Sequence, residues 1–127
     1  MSKENHYRKL FFVGAIWNWV ATTTLIFGYR ILFPLFDMPL PIYPVFFLMF
    51  LGLCFVFGIG YYWVSQDLSK NNDIVKMGII GKLLVFVGLL WASITGQIHY
   101  ILLGAGFVDL VFAIFYIEFL MKYQKGV

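Results

Sequence analysis

The chain is short of charge. Lysine, arginine, aspartate and glutamate make up 12% of its 127 residues, against 62% hydrophobic and 21% aromatic. A soluble domain is about a quarter charged and about half apolar. Four buried helices of a soluble protein are excluded, because too little polar surface remains to cover them. Cysteine is limited to Cys54, which rules out an intrachain disulfide, a CxxC redox pair and a thiolate metal cluster. Within its apolar run Cys54 reads as a small core residue. Histidine is limited to His6 and His99, and no HxxxH or ExxH spacing offers haem or di-iron ligands. Neither a serine–histidine set nor paired carboxylates stand at hydrolytic spacing. The segment GIIGKL at residues 78–83 lacks the spacer and the following Ser/Thr of a phosphate loop, and it lies in an apolar run. The expectation is therefore a non-enzymatic protein with no catalytic residues, no metal and no cofactor.

What the chain has is four long apolar stretches, at about residues 10–32, 43–64, 74–95 and 99–121. Each supplies the ~20 residues needed to span a ~30 Å hydrocarbon core. The fold class expected is an all-α integral membrane four-helix bundle of up-down topology, one domain over residues 1–127. Lys3, Arg8 and Lys9 precede the first stretch, Lys70 and Lys76 flank the second loop, and Lys122 and Lys125 follow the fourth stretch. On the other side stand only Arg30 and Asp37, and residues 96–99 carry no formal charge. The positive-inside rule then puts both termini and the 65–73 loop in the cytoplasm. The net charge of +3 is thus a topology signal and not a nucleic-acid one. The start resembles a signal sequence, but the run is long and lacks a small-x-small cleavage site, so a retained first helix is expected.

All four prolines, Pro34, Pro39, Pro41 and Pro44, fall between the first two stretches. Residues 33–44 are apolar yet cannot be one helix. They are expected along the outer interface, with Phe33, Phe36, Met38 and Tyr43 dipping into headgroups. Asn71, Asn72 and Asp73 are candidate caps for the third helix. The short 96–98 loop makes the last two helices a tight antiparallel pair. Tyrosines and tryptophans, Trp17 and Trp19 among them, mark the boundaries as an aromatic belt.

Lys82 and Asp109 interrupt the third and fourth stretches. A charge at that depth costs roughly 2.5–3.5 kcal/mol and is kept only where it pairs or does work. At ~1.5 Å per residue, Asn18 and Lys82 lie ~12 Å from the cytoplasmic ends, Asp109 ~16 Å and Gly58 about 9–10 Å. Faces agree with depths. Lys82 shares its face with Gly78, Gly81, Gly88, Ala92 and Gly96, and Asp109 with Ala105, Gly106, Ala113 and Tyr116. Asn18 sits with Gly14, Ala15, Ala21 and Thr22, and Gly58 with Cys54, Tyr61, Tyr62 and Ser65. Small residues let membrane helices approach, and polar side chains bond across the gap. A Lys82–Asp109 ion pair joined by Asn18 is expected in the interior, as a register-fixing contact or a polar path. Gly58, Tyr61, Tyr62 and Tyr116 are the candidate lining of a ligand cavity. Glu118 points elsewhere and is expected to pair with Lys122.

The segments YRKLFFVGAIWNW (7–19), GIGYYWV (58–64), NDIVKMGIIGKLLVF (72–86) and GFVDLVFAIFYIEFL (106–120) resemble small bacterial four-helix membrane proteins, and the build looks like the DoxX-like group. The resemblance implies a multi-pass protein of the bacterial inner membrane and carries no enzymatic activity with it. The leading expectation is an accessory or interaction subunit, with membrane lipid, a second copy or a larger membrane complex as partner. The alternatives are a small transporter or channel using Lys82 and Asp109, or a binder of lipid, quinone or another hydrophobic ligand. A dry bundle satisfies the first and a water-reaching pair the second. The third needs a cavity of ~300 Å³ or more.

Overall fold

The computed structural model describes residues 2–123, so Lys125 of the basic set lies outside the described residues. Four helices make up the fold: α1 (Lys3–Leu35), α2 (Pro44–Gln66), α3 (Asn72–Ile94) and α4 (Ile101–Lys122), with no strand among the described residues. All four are long and apolar enough to cross a membrane, as in a multi-pass membrane protein. At ~1.5 Å per residue α2, α3 and α4 run about 33–35 Å, matching a ~30 Å core, while α1 reaches about 50 Å.

α1 is longer than its apolar run because both ends are built. Ser2 accepts a hydrogen bond from the Asn5 N–H at 3.1 Å, and Arg8 pairs with Glu4 one turn earlier at 2.9 Å. Those contacts draw the polar 3–9 stretch into the helix. At the other end the helix passes through Pro34 and stops at Asp37, whose φ of 55° is left-handed. The Met38 N–H reaches the Phe33 carbonyl at 2.9 Å and the Asp37 N–H that of Pro34 at 3.1 Å, a Schellman stop. Met38 is thereby folded back beside Phe33. Both are buried, at 7% and 9% exposure, instead of dipping outward, whereas Tyr43 is exposed. α3 stops in the same way at Gly96, with Gln97 N–H bonded to Ala92 O at 2.8 Å. At its start the expected side-chain cap is not made. Asn71 takes a left-handed φ of 69°, and only its carbonyl receives the Ile74 and Val75 N–H groups.

α1 pairs with α2 through residues 36–43 and α3 with α4 through residues 95–100, and helices pack more closely within each hairpin than between hairpins. The hairpins meet chiefly at the end that carries the termini. There Tyr7, Phe11, Tyr61, Val64, Val75, Tyr116 and Phe119 form one buried cluster. Phe11 stacks on Tyr116 at 4.5 Å, and the Arg8 guanidinium donates to the Gln66 carbonyl at the open end of α2 at 3.3 Å. Two glycines make the notches this packing needs. A Cβ on Gly78 would stand 2.6 Å from the Tyr61 ring, and one on Gly14 would collide with the Tyr116 hydroxyl. At the far end a smaller cluster of Tyr29, Phe33 and Met38, with Phe47, Ile98 and Leu102 against it, closes the hairpins. Gly88, Gly96 and Gly104 meet nothing and are exposed, so the small-residue faces are only partly interior.

Candidate functional site

Between these two clusters the hairpins stand apart, and all four helices contribute to what fills the middle. Lys82 on α3 and Asp109 on α4 form an ion pair, Nζ to Oδ1 2.8 Å, with side chains only 5% and 16% exposed. The Lys82 ammonium also donates to Asn18 Oδ1 at 3.2 Å. Asn18 in turn donates through Nδ2 to the Cys54 carbonyl on α2 at 2.8 Å. Thr22 bonds back to the Asn18 carbonyl at 2.7 Å, which fixes that turn of α1. The three polar residues expected at one level are therefore joined, and a backbone carbonyl from α2 completes the ring.

Sequence reasoning missed Trp17. Its indole N–H donates to Asp109 Oδ1 at 3.1 Å, so one carboxylate oxygen receives two donors from two helices. The signal was present: an indole N–H at that depth requires an acceptor, and Asp109 is the carboxylate within reach. Aromatic faces complete the ammonium's surroundings, with Nζ 5.1 Å from the Tyr61 centroid and 5.2 Å from that of Phe112. Such contacts contribute roughly 0.5–2 kcal/mol, at the upper end when desolvated.

This cluster forms one wall of a cavity of about 340 Å³. The rest of the wall is apolar, with Leu25, Phe47, Phe50, Phe57, Val85 and Leu102 prominent. Of the four residues expected to line a cavity, only Tyr61 does so. Gly58 is buried under Trp19 and Asn18, where a Cβ would come within 2.6 Å of the indole. Tyr62 lies on the outer side of α2 against Trp19 and Phe12, and Tyr116 is locked in the core on Phe11. Gly81 and Ala105 line the cavity instead.

Other polar groups sit apart from this site. Glu118 accepts from the Tyr7 hydroxyl at 3.0 Å and not from Lys122. His6 lies in the first turns of α1 beside Tyr7, while His99 packs on Phe36 and accepts the Ile101 N–H at the far end. Among the described residues no three His, Cys, Asp or Glu side chains gather to hold a metal ion. Outside the helices, Asp67 is held below the usual carboxylate range by the hydroxyl and N–H of Ser69, and more weakly by Lys70 and Arg8 nearby.

The arrangement pairs one carboxylate with one ammonium, enclosed on its helix side and bordering the cavity on the other. It can hold an apolar molecule and offer that molecule one polar contact. No protein family, characterised protein or solved structure matches this chain.

Proposed function

We propose that the chain is a non-enzymatic multi-pass protein of the bacterial inner membrane, with both termini cytoplasmic, that binds a hydrophobic ligand between its two hairpins. The observation that carries this reading is the cavity of about 340 Å³, lined by aromatic and aliphatic side chains and bounded by a polar cluster from all four helices. Ligand sites are of this kind: mostly apolar walls, with a few placed polar groups to orient the guest. A pure interaction subunit would be satisfied by a packed middle. A conducting path would need an opening past the terminal cluster, where Phe11, Tyr61, Val64, Val75, Tyr116 and Phe119 are fully buried. The orientation follows from the Lys/Arg bias, and reporter fusions at each end test it.

The binding test is saturable uptake of an apolar solvatochromic dye by the purified full chain in a neutral detergent. One dye per chain is expected, lost in Ala21→Leu, which fills the cavity wall. Thermal unfolding of that variant within a few degrees of wild type would show that the cavity, and not the fold, was changed. Absence of saturable binding by the wild type would overturn the reading.

A further inference from the structure

The charge and hydrogen-bond inventory of the cavity wall specifies more than an apolar guest, provided the ligand-binding reading holds. Asp109 receives both of its donors, Lys82 Nζ and Trp17 Nε1, on the same oxygen, Oδ1. Its Oδ2 accepts no hydrogen bond among the described residues, and the side chain, 16% exposed, lines the cavity. Lys82 has three N–H groups, of which one goes to Asp109 and one to Asn18. The remaining Lys82 N–H lies between the Tyr61 and Phe112 rings, so the wall presents one free strong acceptor. Carboxylate and ammonium sum to zero charge, so an ionic guest would leave a net charge in apolar surroundings, which is costly.

An uncharged hydroxyl answers that need by donating to Asp109 Oδ2 without adding charge. The way in is lateral. Leu53 on α2 and Leu84 on α3 line the cavity yet are 63% and 71% exposed, which places a mouth between those helices. Below the mouth α2 and α3 do touch, where Tyr61 enters the Gly78 notch and Ile74 lies against Gly60. A long chain would trail out past Leu53 and Leu84 into hydrocarbon.

We infer that the cavity's ligand is a neutral apolar alcohol taken from the bilayer, bound hydroxyl-inward on Asp109 with its hydrocarbon tail leaving between α2 and α3. The test is competition for photolabelling of the purified full chain by a diazirine-bearing tetradecanol. Competitors of matched chain are 1-tetradecanol, its methyl ether and tetradecylammonium. The alcohol should displace the label at about ten-fold lower concentration than the ether, equivalent to ~1.4 kcal/mol, and the ammonium should do no better than the ether. Labelled peptides should map to α2 and α3 around Leu53 and Leu84. The double variant Lys82→Met with Asp109→Leu, which removes the acceptor without leaving an uncompensated charge, should narrow the alcohol–ether gap to about three-fold or less, and Ala21→Leu should abolish labelling. If the ether or the ammonium competes as well as the alcohol while Ala21→Leu still abolishes labelling, the alcohol assignment falls and the ligand cavity stands. If the wild type is not labelled, or Ala21→Leu leaves labelling unchanged, the ligand-binding reading itself falls.

Discussion

Removing one member of the Lys82–Asp109 pair should harm the protein more than removing both. In Asp109→Asn the ammonium keeps Asn18 at 3.2 Å and the faces of Tyr61 and Phe112, but loses its only counter-charge at 2.8 Å. Both side chains are largely buried, so little solvent screening intervenes. An uncompensated charge in that position costs about 3–5 kcal/mol. The double variant Lys82→Met with Asp109→Leu removes both charges and refills the space with hydrocarbon, which is often close to neutral. It still strands two groups: the Trp17 N–H loses its acceptor and Asn18 Oδ1 loses its donor. The Trp17 loss alone costs about 1–3 kcal/mol. The half-buried position of Trp17 lets the indole relax toward the cavity, favouring the lower part of that range. The double variant should therefore be about 2 kcal/mol more stable than Asp109→Asn. The measurement is reversible unfolding in mixed detergent micelles followed by far-UV circular dichroism, with Lys82→Met and Asp109→Leu completing a double-mutant cycle. A double variant as unstable as Asp109→Asn, or additive single effects, would refute the claim that the charges compensate each other.

Trp17→Phe deletes the N–H together with the five-membered half of the indole, so it should lower stability by at least about 1 kcal/mol in the same assay; no loss would mean the indole bond carries no weight. Gly78→Ala places a Cβ 2.6 Å from a Tyr61 ring that is 1% exposed, and overpacking of that kind costs about 1–3 kcal/mol. Gly88→Ala, which meets nothing, should be neutral or stabilising, and equal melting temperatures for the two would contradict the notch. Asp67 titrates below its usual value, so its contribution to stability is present above the unfolded carboxylate pKa and is lost as pH falls through the depressed folded value. Ser69→Ala should raise the Asp67 midpoint in a carboxyl NMR titration, and an unchanged midpoint would remove the Ser69 contacts as its cause.

The parts of this site legible in the sequence are those that depend on distance along a helix. Rise and turn are constant, so counting residues was enough to bring Asn18, Lys82 and Asp109 to one level and onto facing sides. Boundaries of the helices were less legible, because they depend on local devices. A left-handed aspartate at residue 37 and a serine hydroxyl at residue 2 each moved an end of α1 past the limit of the apolar run. Trp17 was assigned by type to the boundary belt, although its depth beside Asn18 already demanded an acceptor.

The cavity was illegible for a different reason. Its walls are leucines, phenylalanines and small residues that, one at a time, read as ordinary packing. It exists because of what sits above and below it: Phe11, Tyr61 and Tyr116 fill the gap at one end, and Tyr29, Phe33 and Met38 close the other. No residue pattern announces the space between two such wedges. Its position nevertheless bears on the ion pair. A pair that served only to fix helix register would be best enclosed by close packing on every side, where each charge keeps its full set of partners. Here Trp17, Asn18 and the Tyr61 and Phe112 faces enclose the pair on the helix side, while Asp109 lines the cavity. The helices thus enclose the pair on one side and leave it at the cavity wall on the other, and it is this asymmetry on which the ligand-binding proposal rests.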